Sequence, residues 1–274
     1  MAMEPIVQLG GKYKEELSAT FEGLRQRSSV SVAAAQEQLQ LLQQQAEQLK
    51  QSSPEALVGT LQDLSPVEVP TPKLLDTFGW LTVMEVTKTV VSVLTSYLLA
   101  PFIGLFFESL TAIVLAYGVV PALLYRQLTA TESDTEHRFY LLSAAAAEGL
   151  LVGFIINNRY LAASQPIAAV TPLFIALVAQ LGEGKFPSRQ AFLGATLGSG
   201  VLAHLALSIL FGSLSFPGFL LSALYAGVGF ASIQLLLKDS QAPSYKYQFI
   251  YFIGAILSQG IVFGIFGGAP PAQN

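Results

Sequence analysis

The sequence predicts an all-α, polytopic membrane protein, a bundle of seven transmembrane helices preceded by a soluble helical tail. Hydrophobic residues make up 52% of the chain and charged residues only 12%, and the mean hydropathy is +0.54. Soluble domains carry about 25% charged residues, so this chain has too few charges to cover a soluble surface. The charges are also concentrated in the first quarter, and Lys246 is the only one after Asp239. The first quarter therefore favours water and the remainder favours lipid.

Seven apolar segments follow the tail. A bilayer core of about 30 Å requires roughly 20 apolar residues per helix. The segments that meet this length are residues 79–99, 104–126, 139–156, 164–181, 190–211, 216–237 and 247–267. Prolines at 101, 187, 217 and 243 lie at the predicted joints, whereas Pro121 and Pro172 fall inside segments, where neighbouring helices can satisfy the freed backbone groups. We expect three parts, a cytoplasmic tail of residues 1–73, a seven-helix domain of residues 74–268 and a C-terminal tail of residues 269–274.

The tail contains a predicted helix over residues 30–51, which ends at Ser52-Ser53-Pro54. Apolar side chains recur within it at spacings of three and four over residues 32–49, which is the seam of a coiled coil or of an amphipathic helix. It either packs on its own protein or contacts a partner protein. The prolines between residues 66 and 72 then predict a stiff, extended linker.

Small residues and basic loops predict packing and orientation. Gly194 with Gly198, and Gly260 with Gly264, form GxxxG pairs that allow close approach of helices, by tight bundle packing or as a dimer motif. Lys and Arg fall in the tail and in the loops after segments two, four and six, whereas the other side has only Arg159. By the positive-inside rule the N-terminus is cytoplasmic. The C-terminus faces the other side, or returns if the last segment is re-entrant.

Ionisable residues inside a spanning helix are functional candidates because their insertion is costly. Glu148 lies at the middle of segment three and is either a proton or cation site or a neutral structural acid. His204, in segment five, is a candidate partner for it, or a satisfied packing residue. Ser232 and Glu108 complete the set of ion-pathway candidates, Glu108 with an interfacial location as the alternative.

A second pair of charges falls in segment one. Glu85 and Lys88 lie on one helical face and are spaced to pair, although Lys88 is expected to extend its ammonium group to the membrane interface.

Several function classes are excluded. Cysteine is absent, which removes disulfides, zinc–thiolate sites and thiol catalysis. The net charge of −4 is mild and argues against nucleic-acid binding. There is no HExxH motif, nucleotide fingerprint or usable Ser–His pair, because Ser199 and His204 lie on different faces of one helix. We therefore predict no enzyme, no resident metal and no cofactor.

Three stretches resemble the Bax-inhibitor-motif family of membrane proteins, and the resemblance covers roughly residues 71–266. They are the acidic-then-basic loop Ser133–Arg138, residues 166–194 with the short basic loop, and residues 223–235 of segment six. The resemblance implies a seven-helix bundle in the endoplasmic reticulum or another endomembrane, with calcium as a permeant ion and a link to the suppression of cell death. The family's paired aspartates are absent, since Ser232 and a position near Ala255 stand in their places.

Two hypotheses follow from this resemblance. In the first, the protein is a calcium-leak pathway, or a regulator of calcium homeostasis, in which Glu148 is the polar element. In the second, it is a non-conducting membrane scaffold or regulator that acts on partner proteins through its N-terminal helix.

Overall fold

The computed structural model describes residues 54–106, 108–157 and 167–268. The predicted tail helix of residues 30–51, with its seam at 32–49, and the C-terminal tail of residues 269–274 lie outside these residues. The chain divides into two units at Ser65–Pro66. Within the described residues there are eight helices and no β-strand, which confirms the all-α class.

The described residues of the first unit contain one short helix, α1 (Pro54–Gln62). It ends where the Asp63 carboxylate accepts hydrogen bonds from the backbone N–H and the hydroxyl of Ser65, at 2.9 and 2.6 Å. Such local side-chain bonds compete with the helical backbone and are typical of helix ends and turns.

The described residues of the second unit contain seven helices. They are α2 (Thr71–Ile103), α3 (Ser109–Ala130), α4 (Asp134–Asn157), α5 (Val170–Leu181), α6 (Arg189–Leu210), α7 (Phe216–Lys238) and α8 (Ser244–Phe266). By length and composition, all of them except α5 can cross a bilayer. In the described part of the fourth predicted segment, the helix has only 12 residues. Six candidate spans are therefore shown where seven were predicted.

The helix α2 differs from the predicted first segment at both ends. It begins at Thr71 rather than near residue 79, because a proline in the first turn, here Pro72, needs no helical hydrogen bond and has a suitable φ angle. It also continues beyond Ala100-Pro101. The Ala100 N–H donates to the Thr95 carbonyl five residues back, which forms a single π-helical turn over Thr95–Leu99. A wider turn accommodates the missing donor of Pro101.

The helix α3 accommodates its internal proline, Pro121, in the same way. A π-helical turn spans Leu115–Val119, and the Val120 N–H donates to the Leu115 carbonyl directly before Pro121. Pro172 also lies within a helix, but in the first turn of α5, which begins at Val170, so it interrupts no helical hydrogen bond.

Close packing between α2 and α4 organises the bundle. A methyl group on Gly149 would lie 2.7 Å from the Lys88 carbonyl oxygen and 2.8 Å from the Val91 Cβ, and one on Gly153 would overlap Ser92. Gly149 and Gly153 are thus the small-residue pair that brings two helix backbones together. The predicted pair Gly194 and Gly198 has open space at both positions. A methyl group on Gly260 would overlap the Tyr117 ring, whereas one on its predicted partner Gly264 would have nothing within 4 Å.

Candidate functional site

The middle of α2 carries two buried charges. Glu85 is fully buried and Lys88 is 3% exposed, and the Lys88 Nζ lies 2.5 Å from the Glu85 Oε2. The expectation that these residues can pair agrees with this geometry. The expectation that Lys88 extends to the interface was wrong, because its ammonium group stays inside the bundle, 5.7 Å from the centroid of the Phe252 ring.

Glu148 lies opposite this pair on α4. It is fully buried, and neither of its carboxyl oxygens has a hydrogen-bond partner among the described residues. The charges of Lys88 and Glu85 both act on it. The close approach at Gly149, the next residue along, explains why carboxyl groups from two helices share this region.

Tyrosine side chains from three further helices face the same charges. Tyr225 of α7 and Tyr251 of α8 are buried and lie within electrostatic range of Glu85, and Tyr117 of α3 lies within that range of Glu148. We call this set the central charged cluster, and its members are Glu85, Lys88, Glu148, Tyr117, Tyr225 and Tyr251. With both carboxyl groups ionised its formal charge is −1. Chemically it offers one compensated ion pair, one carboxyl group able to hold a proton, and hydroxyl groups able to donate hydrogen bonds.

The other predicted candidates lie apart from Glu148. The His204 Nδ1 is 2.8 Å from the Ser222 hydroxyl and its Nε2 is 3.0 Å from the Ile167 carbonyl oxygen. A carbonyl oxygen only accepts, so Nε2 carries the proton and the Ser222 hydroxyl donates to Nδ1. Both ring nitrogens are therefore satisfied without Glu148, as expected for a packing residue.

Ser232 and Glu108 have opposite environments. Ser232 is fully buried on α7, and its hydroxyl has no hydrogen-bond partner among the described residues. Glu108 is exposed and directly precedes α3, without a side-chain bond that caps the helix. Of the four predicted candidates, only Glu148 belongs to the central charged cluster.

A second polar group, the end cluster, joins the beginnings of α2, α4 and α8. The Arg138 Nη2 lies 2.8 Å from the Asp76 Oδ1, and the Ser244 hydroxyl donates to the Asp76 Oδ2 at 2.9 Å. The Arg138 guanidinium also lies 5.7 Å from the centroid of the Trp80 ring. The end cluster consists of Asp76, Arg138 and Ser244. From sequence, Arg138 was interpreted as a charge that sets orientation and as part of the loop Ser133–Arg138, and no partner was predicted for it.

The contact made by a buried arginine near the beginning of α6 was likewise not predicted from the sequence. The Nε and Nη2 of Arg189 both donate to the Gln234 Oε1, at 2.9 and 2.6 Å. Gln234 lies near the end of α7, and the Lys73 ammonium group binds the Ala242 carbonyl oxygen just beyond that helix, at 2.7 Å. The basic loops after α3, α5 and α7 therefore lie at the same end of the bundle as the beginning of α2. No local sequence signal pairs these residues.

A comparison with known families gives a result that the sequence analysis did not anticipate. A family model described as Interactor of ZYG-11 matches residues 2–269, nearly the whole chain. No curated protein and no solved structure matches the chain. The resemblance to the Bax-inhibitor-motif family was therefore wrong, and so were the calcium-leak and cell-death functions inferred from it. None of the three stretches that carried the resemblance is a specific motif, which is why it misled.

Proposed function

Because the chain belongs to the family described as Interactor of ZYG-11, we propose that it is a membrane-embedded helical bundle that binds a ZYG-11 protein. The observation that carries this proposal is the extent of the match, which includes both the N-terminal tail and all the apolar helices. Protein binding is the one activity that the family's description names.

The membrane part of the proposal is supported by the surface of the bundle. Six helices have the length and composition of spans, and large apolar side chains point outward along them. On α6, Leu202, Ile209 and Leu210 are 66%, 68% and 75% exposed. A soluble monomer rarely exposes apolar patches of this extent, whereas lipid covers them without cost. The 12-residue helix α5 is about 18 Å long, which is shorter than a bilayer core of about 30 Å.

The orientation follows from the basic end of the bundle. We propose that this end, together with the N-terminus, faces the cytoplasm. The particular membrane stays a prediction.

The cysteine-free chain allows a labelling test of this orientation without background. In sealed vesicles with the cytoplasmic face outward, an impermeant maleimide should label Glu183→Cys in the α5–α6 loop. It should label Leu214→Cys in the α6–α7 loop only after the vesicles are opened. Equal labelling of both before opening would contradict the topology.

The proposed contact with the partner is the N-terminal region, including the heptad helix of residues 32–49. The faces of the spans are occupied by lipid in this arrangement, and the tail is longer than any of the loops that a soluble partner could also reach. The test uses the full chain in lipid nanodiscs and purified ZYG-11. Stable binding by the full chain, lost on deletion of residues 1–52, is the expected result. The absence of binding by the full chain would overturn the proposal, and undiminished binding after deletion would overturn the role of the tail helix.

A further inference from the structure

The central charged cluster holds more carboxyl groups than positive charges. Two of its members are carboxyl groups, Glu85 of α2 and Glu148 of α4, and both are fully buried. Its only ammonium group is that of Lys88, which lies 2.5 Å from the Glu85 Oε2. Tyrosine hydroxyl groups keep their protons at neutral pH, so they do not change this count. The cluster is therefore neutral only when it also contains one proton.

No other charged residue of the surrounding described helices lies near enough to balance Glu148. The helices that pack against α4 are α2, α3 and α8. Within α4 the nearest basic residue is Arg138, which lies about 15 Å from Glu148 along the helix axis and binds Asp76. The titratable groups that the packed helices contribute to the central charged cluster are Glu85 and Lys88 from α2, Tyr117 from α3 and Tyr251 from α8. Their other charged residues lie at the basic end of the bundle, namely Lys73, Asp76, Arg126 and Lys246.

An ionised Glu148 would be costly in this position. A carboxylate in an apolar interior, without hydrogen bonds or a counter-charge of its own, is so unfavourable that the group becomes neutral instead. Glu148 has no hydrogen-bond partner among the described residues, and Lys88 is already paired with Glu85. A proton needs one carboxyl oxygen, whereas a metal cation needs several oxygen ligands. In the described part of the chain, no group of three or more His, Cys, Asp or Glu side chains could hold a metal ion.

We propose that the central charged cluster is a binding site for one proton, which Glu148 holds while the ammonium group of Lys88 balances Glu85. The close approach of α2 and α4 at Gly149 forms the site, because it places both carboxyl groups within range of a single ammonium group. The site goes beyond the proposed function, since it lies inside the bundle and includes no residue of the tail. Charge balance also fixes how many protons each variant of the cluster should hold.

The test is infrared spectroscopy of the full chain at neutral pH, because a protonated carboxyl group has a carbonyl band distinct from that of a carboxylate. Detergent micelles without ester groups are used, since lipid esters absorb in the same region. We expect wild-type protein to show a protonated-carboxyl band that Glu148→Gln lacks. The matched control is Glu108→Gln, at an exposed position, which should leave the band unchanged. A wild-type spectrum without this band would overturn the inference.

Two further variants separate charge balance from burial alone. Glu85→Gln leaves one carboxyl group and one ammonium group, so we expect the band to disappear although Glu148 is still present. Lys88→Met leaves two carboxyl groups and no ammonium group, so a second proton should bind and the band should grow about twofold. A band that persists at full strength in Glu85→Gln would overturn the inference, because an acid that is neutral through burial alone gives this result. Glu85→Gln decides the question by itself if Lys88→Met does not fold.

A sodium titration distinguishes the proton from a metal cation. Adding sodium chloride to wild-type protein in a sodium-free buffer should leave the protonated-carboxyl band unchanged. Loss of the band on this addition would show that a metal cation replaces the proton, and it would overturn the inference.

Discussion

The central charged cluster and the end cluster use the same kinds of side chain in opposite ways. At the end cluster, each carboxylate oxygen of Asp76 receives a hydrogen bond, one from Arg138 and one from Ser244. In the central charged cluster, the charge of Lys88 balances that of Glu85, but the Glu148 carboxyl group has no hydrogen-bond partner among the described residues. The end cluster therefore joins three helices with both carboxylate oxygens of Asp76 bonded, whereas the central one buries a carboxyl group that has no such bond inside an apolar bundle. Four substitutions test this contrast.

The largest expected effect is that of Lys88→Met. Removing the ammonium group leaves Glu85 buried without its partner, which costs about 3–5 kcal/mol. The measurement is the free energy of unfolding in lipid–detergent micelles, with Lys185→Met at an exposed position as the control. Adding Glu85→Gln to Lys88→Met should recover part of the loss. A variant as stable as the wild type would show that the pair contributes nothing to the fold.

The next largest effect is expected from Gly149→Ala, which tests whether close packing brings the charges together. The added methyl group meets the backbone of α2 at Lys88, so the helices must separate, at a cost of about 1–3 kcal/mol. The matched control is Gly194→Ala, which has open space and should gain up to about 1 kcal/mol from helix propensity. Equal thermal stability of the two variants would contradict the packing described for α2 and α4.

A smaller effect is expected at the end cluster. Asp76→Asn keeps the shape of the side chain but removes the charge that binds Arg138. Since the Asp76 side chain is 26% exposed, solvent screens the pair and the expected loss is about 1 kcal/mol. The loss should shrink further in high salt. A loss as large as that of Lys88→Met would show that the two clusters do not differ in the way we describe.

The smallest effect is expected from Glu148→Gln. A carboxyl group without hydrogen-bond partners stabilises little, so its replacement by an isosteric amide should change the free energy of unfolding by less than about 0.5 kcal/mol or increase it. The same micelle measurement checks this. A loss of several kcal/mol would indicate that the carboxylate has an essential partner.

The sequence predicted the helices better than it predicted their contacts. Periodicity and apolar length located the last three spans to within a few residues, since these properties are local. The burial of Lys88 could not be predicted from the sequence, because it depends on how closely α4 approaches α2 at Gly149. The hydrogen bonds between Arg189 and Gln234 join residues 45 positions apart, and nothing in either neighbourhood marks them as partners. Glu148 was found because a lone acid in an apolar run is conspicuous, whereas the tyrosines around it resemble ordinary core residues.

The π-helical turns in α2 and α3 have a consequence for engineering the chain. Each turn accommodates one residue more than an α-helix does over the same rise, so it is equivalent to a one-residue insertion that rotates everything beyond it by about 100°. Deleting one residue within Thr95–Leu99 would restore a regular helix up to Pro101 and turn the segment Ala100–Ile103 onto a different face. Ala100 would then leave the buried apolar cluster that also contains Phe154 and Ile155. Alignments of related chains should therefore show single-residue gaps directly before these two prolines, and there alone within the two helices.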